Sequence, residues 1–133
     1  MADSIVKKKS FDFAVRITNM YKYLTNEKKE FVLSKQLLRS GTSVGANVRE
    51  ALNAESPADF AHKLGIAQKE ADETSYWLEL LNMTSYISEK EFESINDDVN
   101  ELLKIIRSII LTTRQKQKLA QVQSQNNHRQ VNS

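Results

Sequence analysis

The chain has 133 residues, a size typical of a single domain, with 19 basic and 17 acidic side chains and a formal net charge of +2. It contains no cysteine, which excludes a disulfide framework, a thiolate metal site and a cysteine nucleophile. No stretch approaches the roughly 20 apolar residues that span a bilayer, and no signal peptide follows the first lysines, so we expect a cytoplasmic protein without membrane contact.

The first predicted helix begins at Ser10, which we interpret as its N-cap, and ends near Asn26. Residues 1–10 then form a basic N-terminal arm, which contains three consecutive lysines. Apolar side chains follow Ser10 at alternating spacings of three and four, as expected for one buried side of a helix. The members of this row are Ala14, Ile17, Tyr21 and Leu24.

The second predicted helix covers about residues 33–54 and contains two of the three glycines, Gly41 and Gly45, on its apolar side. Each glycine weakens a helix by about 0.5–1 kcal/mol relative to alanine. One interpretation is that a backbone or a bulky side chain of another helix approaches closely there. The other is a kink or break in the helix.

The third and fourth predicted helices have clear N-terminal signals. Ser56 is the expected N-cap of the third, followed by Pro57, and Ser88 is the expected N-cap of the fourth. Both helices carry apolar residues at spacings of three and four over their whole length. Four amphipathic helices with short connections predict an all-α, antiparallel up-and-down four-helix bundle over residues 11–114. Residues 115–133 are polar, and we expect a disordered C-terminal tail there.

The apolar surface of the fourth helix is wider than one bundle core requires. Ile105 and Ile110 lie outside its main apolar row, and we predict that they contact another subunit or a partner helix. Trp77 on the third helix is a further candidate for a subunit contact.

The charges are unevenly distributed along the chain. Residues 1–9 carry a net charge of +2 and residues 10–103 a net charge of −6, from 10 basic and 16 acidic side chains. Residues 104–133 carry six basic side chains and no acidic ones. Such a segment can hold a phosphate backbone or an acidic partner, or can simply increase solubility. The candidate nucleic-acid-binding residues are Lys104, Arg107, Arg114, Lys116 and Lys118.

No catalytic, cofactor-binding or metal-binding residues emerge from the sequence. A di-metal bundle needs two Glu-x-x-His motifs, whereas the only histidines are His62, expected on the surface of the third helix, and His128 in the tail. No histidine can be argued to activate Ser40, Ser43 or Ser75 as a nucleophile. We therefore predict that the protein is not an enzyme and needs no cofactor.

A polar row follows the second helix beside its apolar side. It comprises Ser40, Ser43, Asn47 and Glu50, and Glu70 and Glu73 lie on the third helix. Such a row can form a hydrogen-bonded cluster that fixes helix register or meets a ligand. Alternatively, serine and asparagine tolerate a close-packed edge and bond to nearby backbone.

The segment RSGTSVGANVREA, residues 39–51, resembles the signature of the 23S rRNA intervening-sequence protein family of four-helix bundles. The matching polar positions are Arg39, Ser43, Asn47 and Glu50, and residues 59–81 are similar to the family's third helix. Gly45 stands where many members have proline. The resemblance covers about residues 11–111.

This resemblance implies a four-helix bundle that assembles as a homopentamer, and an association with RNA or DNA. The leading hypothesis is therefore an oligomeric nucleic-acid-associated binding protein. The alternative is a scaffold that binds another protein through its acidic body and apolar grooves. A metal-dependent bundle enzyme ranks third.

Overall fold

The computed structural model describes residues 2–132, which form four α-helices. Helix α1 spans Ala2–Asn26, α2 spans Leu33–Leu52, α3 spans Pro57–Met83 and α4 spans Glu89–Asn132. Each helix packs against its neighbours in sequence, and α4 also packs against α1, so the four helices close a ring around one core. The predicted antiparallel up-and-down bundle is confirmed, and no strand occurs among the described residues.

The core consists of the inward apolar rows of all four helices. Its largest fully covered side chains include Ile17, Leu37, Leu64, Leu78 and Ile106. Small residues of α3, Ala67 and Ala71, are also fully buried, so the middle of this helix lies close to its neighbours. Two of the predicted N-caps are observed: Asp59 donates its backbone N–H to Ser56 Oγ, and Glu91 donates its own to Ser88 Oγ, each at 3.1 Å.

The N-terminal end of α1 differs from the prediction. The helix begins at Ala2 rather than after Ser10, so residues 2–9 are not a separate arm. Val6 and Ser10 are both buried, and they continue the inward row of Ile17 at helical spacing. Ser10 is therefore a small residue packed inside the bundle and not an N-cap, and its hydroxyl donates to the backbone oxygen of Lys7 at 3.1 Å.

The C-terminal segment also differs from the prediction. Helix α4 continues through residues 115–132, where we expected a disordered tail. All side chains from Lys118 to Val131 are exposed. Since α4 has 44 residues and α3 has 27, this end of α4 extends beyond the bundle as a single helix. We call residues 118–132 the projecting segment.

The two glycines of α2 both face α1 at a point of close approach. A Cβ atom on Gly41 would lie 2.7 Å from Cγ2 of Ile17, and one on Gly45 would lie 3.1 Å from the backbone oxygen of Ser10. Helix α2 is continuous from Leu33 to Leu52, so there is no break at either glycine. The close-approach interpretation is confirmed, and the interpretation as a break is wrong.

Polar side chains connect α1 to α4, the helices that close the ring. The Arg16 guanidinium lies 2.7 Å from a carboxylate oxygen of Asp98 and donates to Ser94 Oγ at 2.7 Å. Farther along the seam Lys9 pairs with Glu101. All of these groups are partly exposed, so the ion pairs contribute little individually and mainly fix the register of the two helices.

Candidate nucleic-acid interface

Four of the five predicted nucleic-acid-binding residues share one face of α4. Lys104, Arg107, Arg114 and Lys118 are separated by three, seven and four positions, which returns them to the same side of a helix. All four are exposed. We call them the basic stripe; at 1.5 Å per residue it extends for ~21 Å.

The basic stripe lies on the exposed side of α4 along the edge of its buried face, because Arg107 and Arg114 follow the buried residues Leu103 and Ile110 by four positions. Leu111 lies within the stripe and is 59% exposed. Among the described residues, the stripe's carboxylate contact is that of Arg107 with Asp72 of α3, at 3.6 Å. Both of these side chains are more than half exposed, so this ion pair leaves Arg107 available to another anion.

Lys116, the fifth predicted residue, lies on a different face. It borders a groove of about 840 Å³ at the end of the bundle, where α4 passes the connection between α2 and α3. Asp3 and Glu55 line the same groove. Two carboxylates around one ammonium group make this groove unsuitable for phosphate. The sequence analysis placed Lys116 with the four residues of the basic stripe, but in the structure it lies apart from them.

The outer face of α4 changes sign along its length. Glu93 and Asp97 precede Lys104 by eleven and seven positions, so they lie on the same face in the first half of the helix. Beyond Glu101 the chain has no further acidic residue. The positive charge is thus concentrated on the half of α4 that leads out of the bundle.

The family-signature residues line the outer seam between α2 and α3. Arg39 donates to Glu73 Oε1 at 2.5 Å and to Glu70 Oε2 at 3.4 Å. At the other end of the seam, a carboxylate oxygen of Glu50 lies 3.3 Å from Lys63 Nζ. These contacts fix the register of the two helices.

Ser43 and Asn47, which lie between those ion pairs, bond to their own helix. Ser43 Oγ donates to the Arg39 backbone oxygen at 2.6 Å, and Asn47 Nδ2 donates to the Ser43 backbone oxygen at 2.8 Å. The polar row thus combines both predicted interpretations. Its charged ends join two helices, and its middle satisfies the local backbone. A further link is buried, where the hydroxyls of Ser40 and Thr74 lie 3.0 Å apart.

The contacts between Arg39 and Glu73 shift the pKa values of both groups. The hydrogen bond from Arg39 is the main cause that lowers the pKa of Glu73, and the Trp77 indole N–H also donates to this carboxylate, at 3.2 Å. The same bond raises the pKa of the Arg39 guanidinium. Both directions correspond to the charged forms of the two groups, as expected for an ion pair.

The predicted interface residues have different degrees of exposure. Ile110 is only 7% exposed and belongs to the chain's own core, as does Leu103. The apolar surface of α4 is wide in part because this helix packs against both α3 and α1. Ile105 and Trp77 are half-buried and pack against the edge of the core. Of the three residues, Ile110 therefore has almost no surface left for a partner.

The described residues contain no cluster of three or more potential metal ligands. His62 is exposed on α3, as predicted. None of the described helices is sufficiently long and apolar to cross a membrane.

Comparison with known proteins identifies the family. The model of the 23S rRNA-intervening sequence proteins matches residues 2–108. The chain belongs to this family. A crystal structure of a protein of unknown function from the S23 ribosomal protein family of Bacteroides thetaiotaomicron is similar, with 63% sequence identity and a TM-score of 0.82. The similarity covers 83% of this chain and 98% of that one. The comparison with curated proteins gives no match.

The match to the 23S rRNA-intervening sequence family covers the first three helices and ends within α4. Lys104 and Arg107 lie inside the matched residues, whereas Arg114, Lys116, Lys118 and the projecting segment lie beyond them. The family resemblance therefore accounts for the bundle, and the role of the projecting segment has to be argued from its own residues.

Sequence reasoning missed the continuation of the basic stripe. Gln121, Gln125 and Arg129 follow Lys118 at intervals of three and four positions, so they extend the same face into the projecting segment. All three are exposed. The spacing was present in the sequence, but a composition rich in glutamine, asparagine and serine suggested disorder instead.

Proposed function

We propose that this member of the 23S rRNA-intervening sequence family is a non-enzymatic, cytoplasmic binding protein that associates with RNA or DNA. The observation that carries the proposal is the basic stripe: four exposed cations on one face of α4, in the part of the chain beyond Glu101, which contains no acidic residue. A phosphate backbone is the linear polyanion that such a row complements. The acidic residues of the body keep other surfaces from binding it.

The proposed binding is electrostatic and therefore weakens with salt. Each phosphate neutralised by a lysine or arginine releases condensed counterions, so affinity falls as salt concentration rises, with a slope of about 0.7–0.9 per contact. A homo-oligomer would present several stripes to one nucleic acid and increase affinity through multivalency. We propose such an assembly, a pentamer by family resemblance, with Ile105 and Trp77 as interface candidates.

The test is fluorescence anisotropy with structured RNA and with duplex DNA across a salt series. Replacing all four residues of the basic stripe by glutamine should weaken binding and reduce the salt slope by about three to four. The matched control replaces four exposed lysines elsewhere with glutamine, giving the same change in charge: Lys22, Lys35, Lys69 and Lys90. This control should bind almost as the wild type does. Binding that is independent of salt, or equal losses in both variants, would refute the proposal.

The alternative function, a protein-interaction scaffold, is favoured by one separate observation. Phe31, Val32 and Met83 are 60%, 72% and 76% exposed, and all lie at the end of the bundle opposite the projecting segment. Large exposed apolar side chains at one end are typical of a protein-binding surface. Purification from the native host should then recover a stoichiometric protein partner without nucleic acid. Replacing Phe31 and Val32 with serine should release that partner.

A further inference from the structure

We infer that the projecting segment of α4 enters the major groove of double-stranded DNA, with the amides of Gln121 and Gln125 facing the base edges. This inference rests on the proposed function, because it assigns to the same face of α4 a specific class of nucleic acid. It concerns residues that lie beyond the family match. Three properties of the segment support it: its exposure, its charge and its side-chain chemistry.

The first property is that the segment is exposed on every side of the helix. All side chains from Lys118 to Val131 are exposed, and only its first turn, at Ala120 and Gln121, still borders the groove beside the connection between α2 and α3. An α-helix with its side chains is ~10–12 Å wide, and the major groove of B-DNA is ~12 Å wide. The rest of α4 cannot enter a groove because its other side is packed against α3 and α1. That part can contact only phosphates.

The second property is the position of the charges relative to the acidic body. Arg129 lies twelve residues beyond Gln117, the last half-buried position of α4, which corresponds to ~18 Å along the helix. This distance exceeds the Debye length of ~8 Å at physiological ionic strength. The last residue that borders the groove of the bundle is Gln121, eight positions before Arg129, so the projecting segment brings Arg129 to a polyanion without the repulsion of the acidic body.

The third property is the type of side chain on the stripe. Between Lys118 and Arg129 the same face carries Gln121 and Gln125. A glutamine amide can pair with adenine at two atoms, because its nitrogen donates to N7 and its oxygen accepts from N6–H. This bidentate contact is a standard way of reading adenine in the major groove. Flanking cations would contact the phosphates on either side.

These properties favour duplex DNA over duplex RNA. The major groove of A-form RNA is deep and narrow, so an α-helix cannot reach its base edges. The phosphate contacts of the basic stripe are possible with either duplex, whereas the contacts of Gln121 and Gln125 require the wide groove. A preference for duplex DNA is therefore expected from the projecting segment and not from the basic stripe alone.

The test measures binding of the full chain to one 20-base-pair duplex with alternating A·T and G·C steps, prepared as DNA and as RNA, at a fixed salt concentration. We expect the DNA duplex to bind roughly tenfold more tightly. Substituting 7-deazaadenine for adenine removes the N7 acceptor without changing any charge. This substitution should weaken binding of the wild type roughly tenfold and leave a Gln121→Ala/Gln125→Ala variant unchanged.

The matched control is Gln123→Ala/Asn127→Ala, which removes two amides from the opposite side of the projecting segment. It should respond to 7-deazaadenine as the wild type does. Equal binding of the DNA and RNA duplexes, or an equal response of both variants to 7-deazaadenine, would overturn the inference and leave the proposed function standing. Absence of binding to any nucleic acid at low salt would overturn both.

Discussion

Replacing Gly41 with alanine should destabilise the bundle, although alanine is the better helix former. Helix propensity alone predicts a gain of about 0.5–1 kcal/mol. The new methyl group, however, would lie 2.7 Å and 2.8 Å from the two γ-carbons of Ile17 and 3.1 Å from its β-carbon. Because Ile17 is fully buried and branched at Cβ, rotation cannot move these atoms away together. Helix α1 must shift, at a typical overpacking cost of about 1–3 kcal/mol.

The expected net effect is a loss of about 1–2 kcal/mol, measured as the free energy of unfolding in urea. Gly65→Ala is the matched control, since a Cβ atom there would meet nothing within 4 Å. It should stabilise by up to about 1 kcal/mol. A double-mutant cycle isolates the contact: an Ile17→Ala background lacks both γ-carbons and keeps only the β-carbon, at 3.1 Å, so Gly41→Ala should become neutral or stabilising there. If Gly41→Ala stabilises the wild type as much as Gly65→Ala does, the close-approach argument is wrong.

Three further predictions concern caps, ion pairs and assembly. Burial acts to raise the pKa of Glu30, but backbone N–H bonds from Ser34 and its two predecessors outweigh it and lower the pKa, so Glu30→Gln should cost about 1–3 kcal/mol at pH 7. Because the pKa of Glu30 is lower in the folded state, the stabilisation by its carboxylate is complete above the ordinary carboxyl pKa and is lost as pH falls through the folded-state pKa. In urea titrations, the difference in the free energy of unfolding between wild type and Glu30→Gln should therefore be smaller at pH 3 than at pH 7. Arg39→Gln should raise the pKa of Glu73 in an NMR titration and change the free energy of unfolding by no more than about 1 kcal/mol, since the pair is partly exposed. Ile105→Glu should reduce the particle mass in light scattering while circular dichroism stays helical, and a wild-type mass of one chain would contradict the predicted assembly.

The apolar spacing predicted the bundle because each helix buries one continuous row. The N-caps Ser56 and Ser88 could be recognised since each precedes an acidic residue by three positions. Ser10 has Phe13 and not an acidic residue three positions later, and only its place before an apolar row suggested an N-cap. A serine can cap a helix or fill a small space beside one, and only the burial of Val6 and Ser10 in the core distinguishes the two. Glu30 was missed for a related reason, because it caps α2 from three residues before the helix with a long side chain.

The C-terminal segment was misread because its composition has no apolar period. Glutamine, lysine, arginine and alanine nevertheless have good intrinsic helix propensity. The costly step of helix formation is the first turn, which α4 has already made inside the bundle, so each added residue requires only propagation. Polar sequence after a packed helix therefore does not by itself predict where the helix ends. The basic residues of the candidate site could be predicted from the sequence. Their division into the basic stripe and a separate Lys116 depends on their positions around one continuous helix, which the expected disordered tail had excluded beyond residue 114.

The distribution of charge gives the projecting segment a defined role in the proposed function. A basic segment folded against the acidic body would have its lysines and arginines neutralised by neighbouring carboxylates, as Lys9 is by Glu101. Helix α4 instead carries Lys118 and Arg129 away from the bundle on a continuous backbone. Rigidity matters here, because a helix holds its cations and amides in fixed register, whereas a flexible tail would lose conformational entropy on binding. The substitution Lys118→Pro would break this continuity without changing the charge of any other residue. If it weakens binding more than Lys118→Gln, which removes only the charge, then the fixed register of the helix, and not charge alone, is the basis of binding.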